Sequence, residues 1–577
     1  MLKKLKLLAV ALWVAFALAV SCALFAPGTS ASGSPRGQQQ QQQQRQQPST
    51  QQPTNAPATP AASQAQQQQQ PASGNNNSGG LTASERRGKA IYLRGESTSG
   101  REITAIVGEV DVPASTVTCA GCHGARGEGK TEGGVTAGAL MWSHLIKSYG
   151  HTHPTGRKHG PFNETLFARA TTQGLDPDGN ELLVAMPRYR MAAEDLVDLI
   201  AYIKRIENDR DPGLTDTSLK VGTLLPTRGA LADSGAAMRD VLNAYFQDLN
   251  SRGGIYNRKV ELEVVETGAD AAATAENVRR LLDEGQVFSL VSGMSAGADR
   301  ELAALTQERE VPFIGPTTLL PLTGFQKNRY IFYLLPGMTE QARALAAFAG
   351  RRQPLAASLI AVINPETEIA VAAASAIEEE IKKQGAGSVQ KVAYQRGKFD
   401  AAATVASLKG REVVFFLGSN GEDVSFIKEA AAQGWTPTVL LLGTFVSRDL
   451  QDAIPLSFKD RVFLAFPTVP SDITPAGTAE FRALAEKYKF AIRHTAAQLS
   501  ALAAAKTLVE GLKRAGKDLS RERLITALEG LYDFETGVTP RLTFGPNRRV
   551  GAAGAHIVSI DPATKQFVVS SDWIKVN

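Results

Sequence analysis

The chain has 577 residues, 43% hydrophobic and 21% charged, which is too long for one domain and apolar enough for several cores. A formal net charge of +5 with 7% aromatics, and no stripe of Lys/Arg interleaved with aromatics, argues against a nucleic-acid binder. Only 3 Cys are present, so a disulfide-built fold is excluded, and Gln is heaped into one region, so unlike segments must succeed one another.

Residues 1–33 read as an export signal or membrane anchor. Lys3, Lys4 and Lys6 precede an apolar run from Leu7 to Phe25, broken only by Ser21. Three fates fit: cleavage after Ala31, retention as an anchor, or lipidation at Cys22. The stretch Leu18-Ala19-Val20-Ser21-Cys22 resembles a lipobox, with Ala19 where Leu is usual. Each fate places the remainder on the outer side of a bacterial inner membrane, in the periplasm. Residues 34–80 are low-complexity Gln, Pro, Ser, Asn and Gly, too polar to bury a core. As a coil this linker reaches on the order of 40 Å. It is read as a spacer, or as a tether for a redox head.

Residues 81–210 open with Thr82-Ala83-Ser84-Glu85, a capping box, ahead of a helix with Ile91 and Tyr92 on one face. Cys119-Ala120-Gly121-Cys122-His123 is C-x-x-C-H, the attachment signature for c-type haem. Two thiols one helical turn apart add to the two vinyl groups, and the adjacent His presents its imidazole to the iron. The other readings are a redox C-x-x-C or half a zinc site. No βαβ unit surrounds the motif, and the gap to His153 far exceeds a finger loop of about 12–15 residues. Downstream come Met186-Pro187 and an amphipathic helix with Leu196, Leu199, Ile200 and Ile203.

In order and spacing, about Leu81 to Arg210 resembles a class I cytochrome c: an N-terminal helix, C-x-x-C-H, a Met-Pro loop, and a closing helix with Tyr202. The resemblance implies an all-α fold and one haem c held covalently by Cys119 and Cys122. It implies His123 and Met186 as axial ligands of the iron, with Met191 as the fallback. Such His/Met ligation suits electron transfer. The segment Gly95 to Thr118 is an insertion with an alternating run, Ile103 to Val112, that suggests a small hairpin of underived role. His144, His151, His153 and His159 are read as surface or propionate-side residues, with a second metal site as the minor alternative.

Residues 211–577 alternate strands and helices. The first series has strands at Leu219–Leu225, Val260–Val265, Val287–Val291 and Val311–Ile314, with helices at Gly235–Asn250, Ala271–Leu282 and Ala298–Glu308. A second series starts at Leu359–Ile363 and runs through Val439–Leu442. Two parallel α/β lobes in tandem suggest a hinged cleft. Pro540 to Ile574 reads as a terminal hairpin closing a lobe.

This half resembles the branched-chain amino-acid type of periplasmic solute-binding protein of ABC transporters, with its two-lobed type I fold. The likeness is carried by Gly222-Thr223-Leu224-Leu225-Pro226, Asn250 to Ile255, Val291-Ser292-Gly293-Met294-Ser295 and Val311 to Thr318. It implies that loops after the strands hold the ligand, with Ser295, Thr317 and Thr318 as first-lobe contacts. The second lobe departs from the family: Glu368 and Ile369 stand where Tyr-Gly is usual. The acidic partner for an ammonium has only nearby candidates in Glu366, Glu422 and Asp423. Gly293-Met294-Ser295-Ala296-Gly297 also matches a nucleophile elbow, with His494 and His556 downstream. Two lobes in tandem are not a hydrolase pattern, and no enzyme activity is expected.

The sequence therefore reads as a multidomain exported protein, a mono-haem electron carrier fused to a small-ligand-binding domain. Expected partners are periplasmic redox donors and acceptors, a dehydrogenase or an ABC permease, and a small polar ligand. The alternative is a receptor for ABC-type import of an amino acid or similar solute, with the haem accessory or sensing.

Overall fold

The computed structural model describes residues 81–576, apart from 154, 323–327, 356–357, 386–388, 420 and 448. The export signal and the Gln-rich linker lie outside the described residues. The described chain divides into two compact units, 81–209 and 210–576.

In the first unit, helix α1 (Ala83–Arg94) starts at the capping box: the Thr82 hydroxyl accepts from the Glu85 amide at 3.2 Å, and the Glu85 carboxylate from the Thr82 amide at 2.6 Å. Helix α2 (Cys119–His123) carries the C-x-x-C-H motif, α3 (Glu164–Gln173) comes next, and α4 (Ala193–Arg205) closes the unit. Acids in the first turn of α4 and bases in its last suit the helix dipole. Helices α1 and α4 cross at Gly88, where an added Cβ would lie 1.9 Å from the Asp198 carbonyl oxygen. Only glycine permits that approach. Around it Asp198 accepts from Ser84 and Arg87, each at 2.6 Å. The rings of Tyr92 and Tyr202 meet at 5.7 Å, over a core that includes Ile91, Leu199 and Ile203.

To the helices the structure adds a small antiparallel sheet. Strands β1 (Thr104–Val107) and β2 (Val110–Pro113) form the hairpin suggested by the alternating run. A third strand, β3 (Arg188–Arg190), pairs with β1 so that Ala105 lies opposite Tyr189, in the order β2-β1-β3.

In the second unit, β4 (Ser218–Leu225), α5 (Ala232–Ser251), β5 (Lys259–Glu266), α6 (Ala271–Asp283), β6 (Ser289–Val291), α7 (Asp299–Glu308), β7 (Phe313–Ile314) and β8 (Ile331–Phe332) build the first lobe. Its sheet is all parallel, in the order β8-β7-β6-β4-β5. The second lobe contains α8 (Met338–Arg352), β9 (Ile360–Pro365), α9 (Glu368–Lys383), β10 (Val389–Tyr394), α10 (Ala401–Leu408), β11 (Val413–Phe416), α11 (Glu422–Ala432), β12 (Thr438–Leu442) and β13 (Val462–Phe466). Strands β9, β11, β12 and β13 are buried on both faces and read as apolar runs, as crossover helices require, while β10 lies at the sheet edge and is partly exposed.

The two lobes do not stand in simple tandem, as the sequence suggested, because the chain returns to the first lobe after β13. Helices α12 (Pro475–Tyr488), α13 (Thr495–Ala515) and α14 (Arg521–Glu529) all pack there. Leu502, Leu508, Leu512 and Leu528 share one core with Leu219, Val221, Met238 and Phe246. Arg521 ties the helices down by donating to the carbonyls of Val287 (2.8 Å), Phe288 (2.9 Å) and Arg309 (3.0 Å). The chain then crosses back. Strand β14 (Gly554–Asp561) pairs antiparallel with β13, and β15 (Gln566–Val569) and β16 (Ile574–Lys575) are both antiparallel to β14. The terminal hairpin thus closes the second lobe. The apolar periodicity of α13 marks a buried helix but not which lobe buries it.

Candidate haem site and solute cleft

Helix α2 is capped by Thr118, whose hydroxyl accepts from the Gly121 amide at 3.2 Å, and it ends at Gly124. One turn of helix thereby sets Cys119 and Cys122 on the same side, both as free thiols. His123 is 8% exposed. Its Nδ1 lies 2.7 Å from the Gly138 carbonyl oxygen. That contact places the ring proton on Nδ1, and burial holds the imidazole below its ordinary pKa, so the ring stays neutral. Its Nε2 is buried and has no protein partner. A neutral imidazole with a fixed Nδ1–H and an unpartnered lone pair on Nε2 is what a metal ligand requires. The residues therefore fit a covalently attached haem.

Met186 and Met191 are both partly buried against the core that contains Leu199 and Ile203. Met186 immediately precedes Pro187 and β3. Its carbonyl accepts from the Arg188 guanidinium, and its amide donates to the Leu183 carbonyl at 2.9 Å. Tyr189 of β3 donates through its hydroxyl to the Val117 carbonyl at 2.6 Å, two residues before Cys119. The insertion left without a role by the sequence is the strand partner of the Met186 loop. Tyr189 joins that loop to the approach of the C-x-x-C-H helix. The signal lay in the alternation of Ile103 to Val112, but its pairing partner is some eighty residues away.

The histidines form a chain of contacts rather than a scatter. The rings of His144 and His151 meet, tilted, at 4.4 Å and those of His151 and His159 at 5.3 Å, and the Nε2 atoms of His153 and His159 lie 3.0 Å apart. His159 is buried, contrary to the surface reading. Its Nδ1 lies 2.7 Å from the Gly160 carbonyl oxygen, so Nδ1 carries the proton and Nε2 accepts from His153. Among the described residues no three side chains of metal-binding type converge. Two of these rings, His153 and His159, satisfy each other.

In the second unit, Gly293 sits at the end of β6 with φ +103°, its Cα so close to β4 that a Cβ would meet the Leu224 carbonyl oxygen at 2.9 Å. The Thr317 amide donates to the Gly293 carbonyl at 2.8 Å, and Met294 bridges to Thr317. This brings the loops of Ser295, Thr317 and Thr318 together at the strand ends. The Thr317 hydroxyl is buried and has no hydrogen-bond partner. The Ser295 and Thr318 hydroxyls lie near the carboxylate of Asp299, which sequence reasoning missed because Thr318 comes from another loop. Burial raises the Asp299 pKa, and the two hydroxyls oppose that rise.

The second-lobe acids separate. Glu422 accepts from the Tyr394 hydroxyl at 2.6 Å and the Ser419 amide at 2.8 Å. Asp423 accepts from the Ser447 amide at 2.8 Å and from its hydroxyl, and burial raises its pKa. Glu366 is exposed. Glu368 pairs with Arg300 of the first lobe. The histidines downstream of the elbow-like serine are held elsewhere, His494 by Asp233 at 2.5 Å and His556 by Asp472 at 2.9 Å.

The comparisons with known proteins match this division. The cytochrome c family model matches residues 114–207 and the periplasmic binding protein model matches 218–565. Leu/Ile/Val-binding protein homolog 8 of Brucella abortus (strain 2308) is 24% identical over 348 residues, covering 57% of this chain and 85% of its own length. Leu/Ile/Val-binding protein BraC3 of Rhizobium johnstonii is 22% identical over 336 residues, 58% of this chain and 89% of its own. Among solved structures, a putative branched-chain amino acid ABC transporter from Rhodospirillum rubrum superposes with a TM-score of 0.51 at 19% identity, over 61% of this chain and 100% of that one. The fold expected from the sequence is therefore the fold observed, and a cytochrome c domain implies covalently bound haem c. The chain belongs to the periplasmic binding protein family and carries a cytochrome c domain ahead of its binding domain.

Proposed function

We propose that this chain is an exported one-electron carrier, with a mono-haem domain at 81–210 and a small-ligand receptor at 211–577. Cys119 and Cys122 hold the haem, His123 and Met186 are its axial residues, and the iron supplies reversible one-electron chemistry. The observation that supports this most is the buried, unpartnered Nε2 of His123. Gly138 fixes its tautomer, and the Met186 loop, held by the sheet, is the sixth-position donor. With both positions filled by protein, the site favours electron transfer over activation of an exogenous ligand.

The test is Met186→Ala. The variant should keep its covalent haem, bind carbon monoxide when reduced and show a lower midpoint potential. Carbon monoxide binding by the unmodified protein, or an unchanged potential in the variant, would remove the electron-transfer reading.

A second reading is favoured by the convergence of Ser295, Thr317 and Thr318. The second unit is then a periplasmic receptor for a small solute, delivering it to an ABC permease as the relatives' names suggest. A redox partner such as a dehydrogenase would be served by the haem domain.

A further inference from the structure

The Met186 loop encloses a cation. Helix α3 ends at Gly174, whose carbonyl accepts from the Leu182 amide at 2.8 Å, so the segment between them folds back on itself. Arg188, the first residue of β3, lies opposite Ile106 of β1 and reaches back into that fold. Its guanidinium donates to the carbonyl of Met186 and, at 3.0 Å, to that of Leu182. Its Nε lies so close to Gly174 that any side chain there would overlap it. Both acceptors are neutral. Among the described residues no carboxylate is in ion-pair contact with Arg188, and Glu181 acts on it only through space. Arg190, two residues on, shows the ordinary arrangement: it is exposed and paired with Asp111 at 3.0 Å. Arg188 is half-buried instead, and a guanidinium stays protonated across the ordinary pH range. The loop therefore holds a permanent positive charge that two carbonyls orient but do not neutralise.

We infer that Arg188 is a potential-setting residue, whose fixed positive charge against the Met186 backbone favours the ferrous over the ferric state of the iron. The inference rests on the electron-carrier reading, in which Met186 is an axial residue, and adds a residue to it. Ferric iron carries one more positive charge than ferrous iron. A nearby cation without a carboxylate partner therefore disfavours the oxidised form more than the reduced one. The bond to the Met186 carbonyl ties the guanidinium to the ligand's own residue. The charge thus sits about a methionine side chain away from the ligating sulfur, rather than on a mobile surface arm.

The test compares the full-length haem-loaded chain with Arg188→Gln and Arg188→Lys. Redox titration gives the ferrous-to-ferric ratio at a fixed poise, and the sulfur-to-iron charge-transfer band of the ferric form reports whether Met186 is bound. Arg188→Gln should keep the band and move the ratio about tenfold toward ferric, the effect of one charge at about 10 Å with an effective dielectric of about 20. Arg188→Lys keeps the charge without the planar fork, and should keep the band and most of the ratio. An unmoved ratio in Arg188→Gln, or a shift in Arg188→Lys as large as in Arg188→Gln, overturns the inference and leaves the electron-carrier reading standing. Where Arg188→Gln loses the band, Arg188→Lys decides. Band and ratio both retained there uphold the inference, and loss of either shows that the fork matters rather than the charge and overturns it. No band in the unmodified protein removes the electron-carrier reading, and the inference with it.

Discussion

His123 and His153 show how burial assigns opposite tasks to one residue type. His123 keeps a free lone pair because Gly138 takes its only proton. His153 donates to His159, and its pKa is lowered to about 4, by burial first and then by Arg157, His159 and His151, with Asp176 opposing. Above pH 6.5 the ring is neutral whether the chain is folded or not. Below it the unfolded chain takes up a proton that the folded ring refuses until about pH 4. The unfolded state then binds more protons, so stability falls as pH drops through that window and levels off below it. Thermal melting of the haem unit between about pH 7 and 4 should show this slope, and His153→Gln should make it shallower. Identical slopes would mean that His153 is not the group responsible. The C-x-x-C-H pentapeptide was legible because its chemistry is local. Asp299 was not, because its meaning comes from Thr318, nineteen positions downstream in another loop.

At the level of elements, the Met186 loop owes its placement to a strand pairing rather than to its own residues. Strand β1 lies between β2 and β3, so both its edges are used. Ala105→Pro removes an amide donor from a central strand, which sheets rarely tolerate. The expected result is that the variant retains covalent haem but gains carbon monoxide binding in the reduced state, reproducing Met186→Ala without touching the ligand. Carbon monoxide still excluded would show that the loop holds its position unaided. Alternation in Ile103 to Val112 revealed a hairpin in the sequence. The third strand, three residues of Arg-Tyr-Arg, carries too little pattern to be read, and only the register with Ala105 identifies it.

At the level of the whole molecule, the sequence showed two α/β lobes but not that their chain segments interleave. Apolar periodicity reports that a helix is buried, and is silent on which sheet buries it. The return of 475–529 to the first lobe and of 554–575 to the second makes both lobes discontinuous. A fragment of residues 338–466 therefore lacks β14 and the core side chains Ala555, Ile557 and Ile574. It should give no cooperative thermal transition by circular dichroism, whereas 210–577 should give one. A sharp melt from the shorter fragment would show that the returning strands are dispensable.

The interleaving also imposes a timetable. The first-lobe sheet is complete in sequence at Phe332, but the helix that covers one of its faces begins at Thr495. At ordinary rates of synthesis those roughly 160 residues take on the order of ten to thirty seconds to appear. Throughout that interval the strand face carrying Leu219, Val221 and Val291 is covered only in part, by Met238, Val241 and Phe246 of α5. The nascent chain must spend it unfolded or shielded, so the step most exposed to aggregation is the wait for α13.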